Sequence, residues 1–309
     1  MSTQARPAAP HALSRRANRS RYEALIATLL FACAAITVAT TGAVIFVLAE
    51  ETFAFFREVS IVEFLTERRW TPLFADAHYG IAPLVLGTLL VTVLALVVGV
   101  PLGLGSAVFL SEYASPDRRR QIQPWLELLA GIPTVVFGYF ALLTITPIVR
   151  AIIPGVNLFN PISAGLVMGF MILPTVSSVS LDAMQSVPRS LREAAYGLGA
   201  SRFEVVTRVI VPAALSGIVA SVLLAIARAV GETMIVTLAA GQRPTFTFDP
   251  RETIATMTAF IVQAATGDQP AGSLSSRALY AVGATLFVIT LSVNLLAQAI
   301  VARFSEKYE

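Results

Sequence analysis

Two charged side chains, Arg228 and Glu232, fall inside an apolar run at residues 212–240. A charge at bilayer depth costs about 2.5–3.5 kcal/mol on insertion scales unless it is paired or wetted. At 100° per residue the two lie about 40° apart around a helix, so they share a face and can pair at i, i+4. Arginine before glutamate is the weaker order for the helix dipole, so stability alone is a poor motive for the pair. The chemistry that suits it is anion handling. The Arg228 guanidinium can meet a tetrahedral oxyanion through bidentate hydrogen bonds, while Glu232 limits how tightly the anion is held. The bland alternative is an ion pair that locks two helices together. Thr233 and Thr237 project about 140° and 180° from Arg228, which makes them packing hydroxyls.

A second candidate segment runs from 186 to 212. It offers two Ser-x-x-Glu capping boxes, Ser190 with Glu193 and Ser201 with Glu204, separated by Gly197 and Gly199. This predicts two short helices joined by a glycine turn, ending at Pro212 where a long apolar run begins. Ala194 and Ala195 leave the first helix nearly flat, so another protein could approach its backbone closely. Spacing alone equally allows an ordinary interfacial loop helix.

Other chemistry is bounded by composition. The chain has one cysteine, Cys33, two histidines, His11 and His78, and one lysine, Lys307 near the C-terminus. That excludes a disulfide framework, a Cys/His zinc site and a Walker A loop, whose lysine must follow a glycine and precede Ser or Thr. No Gly-x-Ser-x-Gly elbow is present, and Gly197-Leu198-Gly199 lacks the third glycine of a dinucleotide fingerprint. No cofactor, metal or nucleic-acid partner is expected.

The elements that position these residues are membrane spans. Of 309 residues 56% are apolar and 13% charged, against about 25% charged in soluble proteins, and the mean hydropathy is +0.74. One compact soluble core cannot hide so much apolar surface. Runs of about 20 apolar residues place six spans at 24–48, 81–110, 122–149, 161–180, 212–240 and 278–302. Asn160-Pro161, Gln123-Pro124 and Val211-Pro212 mark helix starts. Fourteen Lys and Arg fall on the side of the termini and the 181–211 loop, against seven on the other. The positive-inside rule then puts both termini and that loop in the cytoplasm. Residues 1–23 read as a disordered basic cytoplasmic tail, and 24–309 as one six-span domain. Gly99 with Gly103 and Gly165 with Gly169 are small-residue pairs that suit close helix packing, within one chain or between two. Thr253–Ala265 reads as an external helix lying on the bundle.

Glu193-Ala194-Ala195, Gly199 and Ile210-Val211-Pro212 resemble the EAA loop of the membrane subunits of binding-protein-dependent ABC importers. Gly131-Ile132-Pro133-Thr134, Met171-Ile172-Leu173-Pro174-Thr175 and Gly231-Glu232-Thr233-Met234 narrow the resemblance to the PstC-type permease of phosphate importers. The resemblance covers Trp70 to the C-terminus. It implies an all-α polytopic fold of importer permease type with six transmembrane helices in the bacterial inner membrane. It also implies a coupling role for Ser190, Glu193, Ala194, Ala195, Gly199 and Pro212, and a substrate-pathway role for Arg228 and Glu232. The implied partners are a cytoplasmic ATP-binding subunit dimer, a second PstA-like permease, an external phosphate-binding protein and the lipid bilayer. The chain itself would not be an enzyme. The alternatives are a PstA-type paralogue, a permease for another oxyanion, and an ion-coupled secondary transporter, which needs no ATPase.

Overall fold

The computed structural model describes residues 11–74, 76–270 and 272–304, which are helices and connecting loops apart from one isolated bridge between Trp70 and Tyr79. The helices are α1 (His11–Phe56), α2 (Ile61–Thr66), α3 (Ala82–Val108), α4 (Pro116–Ala130), α5 (Thr134–Phe140), α6 (Thr146–Ile152) and α7 (Pro161–Ser186). They continue with α8 (Arg189–Gly197), α9 (Arg202–Val205), α10 (Val211–Ala213), α11 (Leu215–Val230), α12 (Met257–Thr266) and α13 (Leu274–Phe304). Four π-helical segments, Phe109–Tyr113, Ala141–Ile145, Val206–Ile210 and Val236–Ala240, extend or join them.

Among the described residues five helices are long and apolar enough to cross a membrane, or six if one bent pair counts as a single span. The chain is therefore an all-α, multi-pass membrane protein. It divides into two compact units, residues 1–51 and 52–309. The first is described as one helix with exposed apolar side chains such as Phe31 and Val38. Of the tail expected over 1–23, residues 1–10 lie outside the described residues, and α1 starts at His11.

Two spans differ from the sequence reading. The run at 122–149 is cut at Gly131-Ile132-Pro133: α4 ends at Ala130, and the apolar helix occupies Thr134–Ile152. Pro133 supplies no amide to a continuing helix and pushes Ile132 away from the α region. Pro124 does not start a helix and lies within α4. The run at 212–240 is also interrupted. The helical stretch starts at Arg202, bends by 72° between Ala213 and Leu215, and ends at Val230. The bend follows Pro212 and the π turn of Val206–Ile210, both of which disturb the regular hydrogen-bond ladder. At Asn160 the expected start holds, since its side-chain oxygen accepts from the Ser163 amide at 2.8 Å and Pro161 opens α7.

The centre of the second unit is the crossing of α3 and α7. A Cβ on Gly99 would come within 2.5 Å of Ile172 Cγ1 and 2.7 Å of the Gly169 carbonyl oxygen, and one on Gly165 within 2.5 Å of Leu94 Cβ. Gly99, Gly103, Gly165 and Gly169 thus serve packing within the chain. Buried Val91, Ala95, Met168 and Ile172 fill the interface, joined by Ala225 and Ala229 of α11. A second cluster, at the end where α3 begins, holds edge-to-face rings of Phe55, Phe64, Trp70, Tyr79 and Phe260. A third, at the opposite end of α3, gathers Ala107, Leu110, Leu181, Met184, Val205 and Ile210 beneath α8. The helix expected over 253–265 is α12, which starts later because the Thr256 hydroxyl caps it by accepting from the Ala259 amide at 3.1 Å.

Candidate functional site

The loop between α7 and α11 is built around α8. Its N-cap is Pro188, with no side-chain cap. Ser190 lies inside the first turn, so the capping box expected of Ser190 and Glu193 does not form: α7 ends at Ser186 and the turn begins two residues too early for Ser190 to cap it. The second box does form. The Glu204 amide donates to Ser201 Oγ at 3.4 Å, and the Ser201 amide donates to Glu204 Oε2 at 2.9 Å.

Gly199 ends α8 at φ +85°, a left-handed conformation that glycine adopts without Cβ strain. The Ala200 amide donates to the Ala195 carbonyl at 3.1 Å and the Gly199 amide to Tyr196 at 2.9 Å. This is a Schellman arrangement, with Gly199 just past the helix end. The outer face is open: Ser190, Glu193, Ala194 and Gly199 are exposed, and Leu198 is 91% exposed. Pro212 sits exposed in the first turn of α10. The inner face of α8 carries Arg192, whose guanidinium meets Glu112 of the π segment after α3 at 2.6 Å.

The second candidate pair is arranged differently from the helical projection. α11 ends at Val230, with Gly231 as its C-cap, so Arg228 and Glu232 do not share a continuous helix. Arg228 Nη1 donates to Thr175 Oγ1 of α7 at 3.0 Å. Glu232 Oε1 accepts from the amides of Met234 and Ile235 at 3.0 and 3.2 Å, capping the turn that follows the break. The i, i+4 ion pair is absent. The helix stops before Glu232, so its carboxylate caps the free amides that open the next turn. Arg228 is exposed on the chain and Glu232 half-buried. The Thr233 and Thr237 hydroxyls donate to the carbonyls of Gly231 and Thr233.

Beyond the aromatic cluster, Glu67 Oε1 lies 2.5 Å from His78 Nδ1, and Asp76 lies 3.3 Å from Nε2. The bond to Glu67, helped by Asp76 and opposed by desolvation, raises the His78 pKa above its usual 6.5. Among the described residues no group of three or more His, Cys, Asp and Glu could hold a metal ion. Sequence reasoning missed Glu112, Arg192 and Thr175. Glu112 lies within a few residues of Arg118, Arg119 and Arg120 and reads as a solvated loop charge, and only the fold shows that it is covered.

A bundle of apolar helices with an exposed helix at one end and an arginine beside a broken helix suits the membrane-embedded part of a transport protein. The family described as binding-protein-dependent transport system inner membrane component matches residues 99–307, and the chain belongs to it. Within that class its similarity runs to named permeases. It is 34% identical to the probable ABC transporter permease protein YqgH of Bacillus subtilis, over 94% of both chains. It is 36% identical to the phosphate transport system permease protein PstC of Haemophilus influenzae, over 79% of this chain and 82% of that one. Among solved structures, a bacterial alginate ABC transporter in complex with an alginate-bound periplasmic protein superposes with a TM-score of 0.65 at 19% identity, covering 94% of this chain and 98% of that one. The inward-facing MetNI methionine ABC transporter gives 0.55 at 17% identity, covering 74% and 95%. These two likenesses establish the fold.

Proposed function

We propose that this chain is the PstC-type membrane subunit of an ATP-driven phosphate importer. It forms the translocation pathway with a second, PstA-like permease and receives phosphate from an external binding protein. Both termini and α8 lie in the cytoplasm of a bacterial inner-membrane protein, as the excess of arginine on that side requires. A separate ATP-binding subunit dimer seats against α8 and drives alternation between outward-open and inward-open states.

The observation that carries this reading is the geometry of α8. Of its EAA residues Glu193 and Ala194 are exposed, as is Leu198 at the helix end, while Ala195 packs on the third cluster and Arg192 anchors the helix to the bundle. Arg228 supports the anion assignment. One of its N–H groups is engaged by Thr175, and the rest of the guanidinium is presented on an exposed surface of α11. A guanidinium so held can meet a phosphate with two parallel hydrogen bonds. The test is ATPase stimulation in the assembled importer with phosphate, sulfate, molybdate and phosphonate presented by the binding protein. Phosphate should stimulate, and stimulation by another of these anions alone would reassign the substrate.

A further inference from the structure

Arg192 reaches inward from α8 with two arms. Nη1 donates to Glu112 Oε1 at 2.6 Å, and Nη2 donates to the Met184 carbonyl at 2.5 Å. Glu112 belongs to the π segment that prolongs α3, and Met184 to the last turn of α7. One guanidinium therefore ties α8 to the ends of two helices at once. The pair is covered, with side chains 18% and 7% exposed for Arg192 and Glu112.

The surroundings keep the acceptor side stiff. Ser111 Oγ donates to the same Glu112 oxygen at 2.7 Å. Arg119 of α4 donates from Nε to the Leu110 carbonyl at 2.8 Å and from Nη2 to that of Ser111 at 3.0 Å, holding the carbonyls that the π turn leaves open. Above this point α3 and α7 are locked by the glycine crossing, so their ends move together.

A buried ion pair is a weak device for stability, since desolvation cancels much of its attraction and an apolar pair of similar volume is often as stable. What it supplies is direction: the planar fork fixes both distance and angle to its acceptors. We infer that Arg192 is the positioning residue of the coupling step, passing displacement of α8 through Glu112 and the Met184 carbonyl to α3 and α7 as one body. This rests on the reading of α8 as the seat of the ATPase.

The test uses the complete importer, reconstituted in vesicles, with uptake of inorganic phosphate and ATP hydrolysis measured together. R192M combined with E112L removes both charges and keeps the volume filled, so the chain should insert and retain the ATPase subunit. Uptake per ATP should fall by on the order of tenfold, the scale of a typical coupling free energy. R192K keeps the charge but cannot serve two acceptors in the same geometry, and should fall between wild type and the double variant. Wild-type uptake per ATP in R192M/E112L would overturn the inference and leave the pair a packing feature. Crosslinking from L198C to the ATPase subunit separates the two ideas. Absence of that crosslink in an otherwise wild-type importer removes the seat itself, whereas a crosslink present in both backgrounds with unchanged uptake per ATP removes only the role of Arg192.

Discussion

The Thr258 hydroxyl donates to the backbone carbonyl of Glu232 at 2.7 Å. Helix α12 thereby holds the break after α11 by its main chain, while the Glu232 carboxylate caps the next turn from the other side. α12 is itself fixed to α3, because the Met257 amide donates to Thr88 Oγ1 at 3.0 Å. Glu232 is thus a built part of the break and does not serve as the counter-ion of Arg228.

The arginine and the glutamate should consequently act separately. Arg228→Lys should depress phosphate uptake far more than membrane abundance, because a point charge replaces a bidentate fork. Glu232→Ala should cost about 1 kcal/mol through the lost cap. The double alanine variant should show little coupling, below about 0.5 kcal/mol in uptake free energy. Restored wild-type uptake in that double variant would mean that the two charges neutralise each other in the working protein.

At Gly199 the strain is confined to the backbone. A Cβ there meets nothing within 4 Å, yet φ is +85°, so Gly199→Val pays about 1–2 kcal/mol of left-handed strain without a clash. The variant should insert normally while ATP hydrolysis loses its connection to uptake. Gly199→Asn, which tolerates this conformation better, should retain more uptake. Equal uptake by both variants and wild type would remove Gly199 from the coupling turn.

Sidedness can be read by thiol labelling. In a Cys33→Ser background, needed because Cys33 is an exposed free thiol, Leu198→Cys and Phe248→Cys present sites whose native side chains are 91% and 72% exposed. An impermeant reagent should label position 248 in intact cells and position 198 only after permeabilisation. Labelling of both from outside would contradict the orientation.

The His78–Glu67 clasp gives a pH dependence. The folded-state pKa of His78 is raised, so its contribution is full below the unfolded value of about 6.5 and is lost as pH rises through the folded value. Thermal stability of the purified chain should fall from about pH 6.5 upward, and His78→Gln should flatten that trend. An unchanged profile in His78→Gln would assign the trend elsewhere.

Two glycines of α3 should behave oppositely. Gly99→Val drives a side chain into Ile172 and the Gly169 carbonyl, an overpacking that costs about 1–3 kcal/mol, and abundance should drop. At Gly105 a Cβ has nothing within 4 Å, so Gly105→Ala should leave abundance unchanged. Membrane immunoblots of the two variants provide the check.

Apolar runs were legible because a bilayer demands length and composition, which a sequence displays directly. Asn160-Pro161 and Ser201-Glu204 were legible because capping is local, and both form as read. Where the reading failed, a competing local partner decided the outcome. Pro133 cuts the third run, Pro188 takes the cap position intended for Ser190, and the end of α11 at Val230 leaves Glu232 to cap the Met234 and Ile235 amides. Glu112 and Arg192 stand eighty residues apart in the chain. No periodicity connects them, so their meeting is visible only once α3, α7 and α8 are placed.

The four π turns bear on how chain length can vary. Removing a residue from an α-helix turns everything beyond it by about 100°. A π turn already accommodates one residue more than the regular ladder needs, so losing one there closes an ordinary α turn and leaves both flanks aimed as before. Ala141–Ile145 and Val206–Ile210, which have helix on both sides, are therefore the stretches where a one-codon deletion is absorbed rather than propagated.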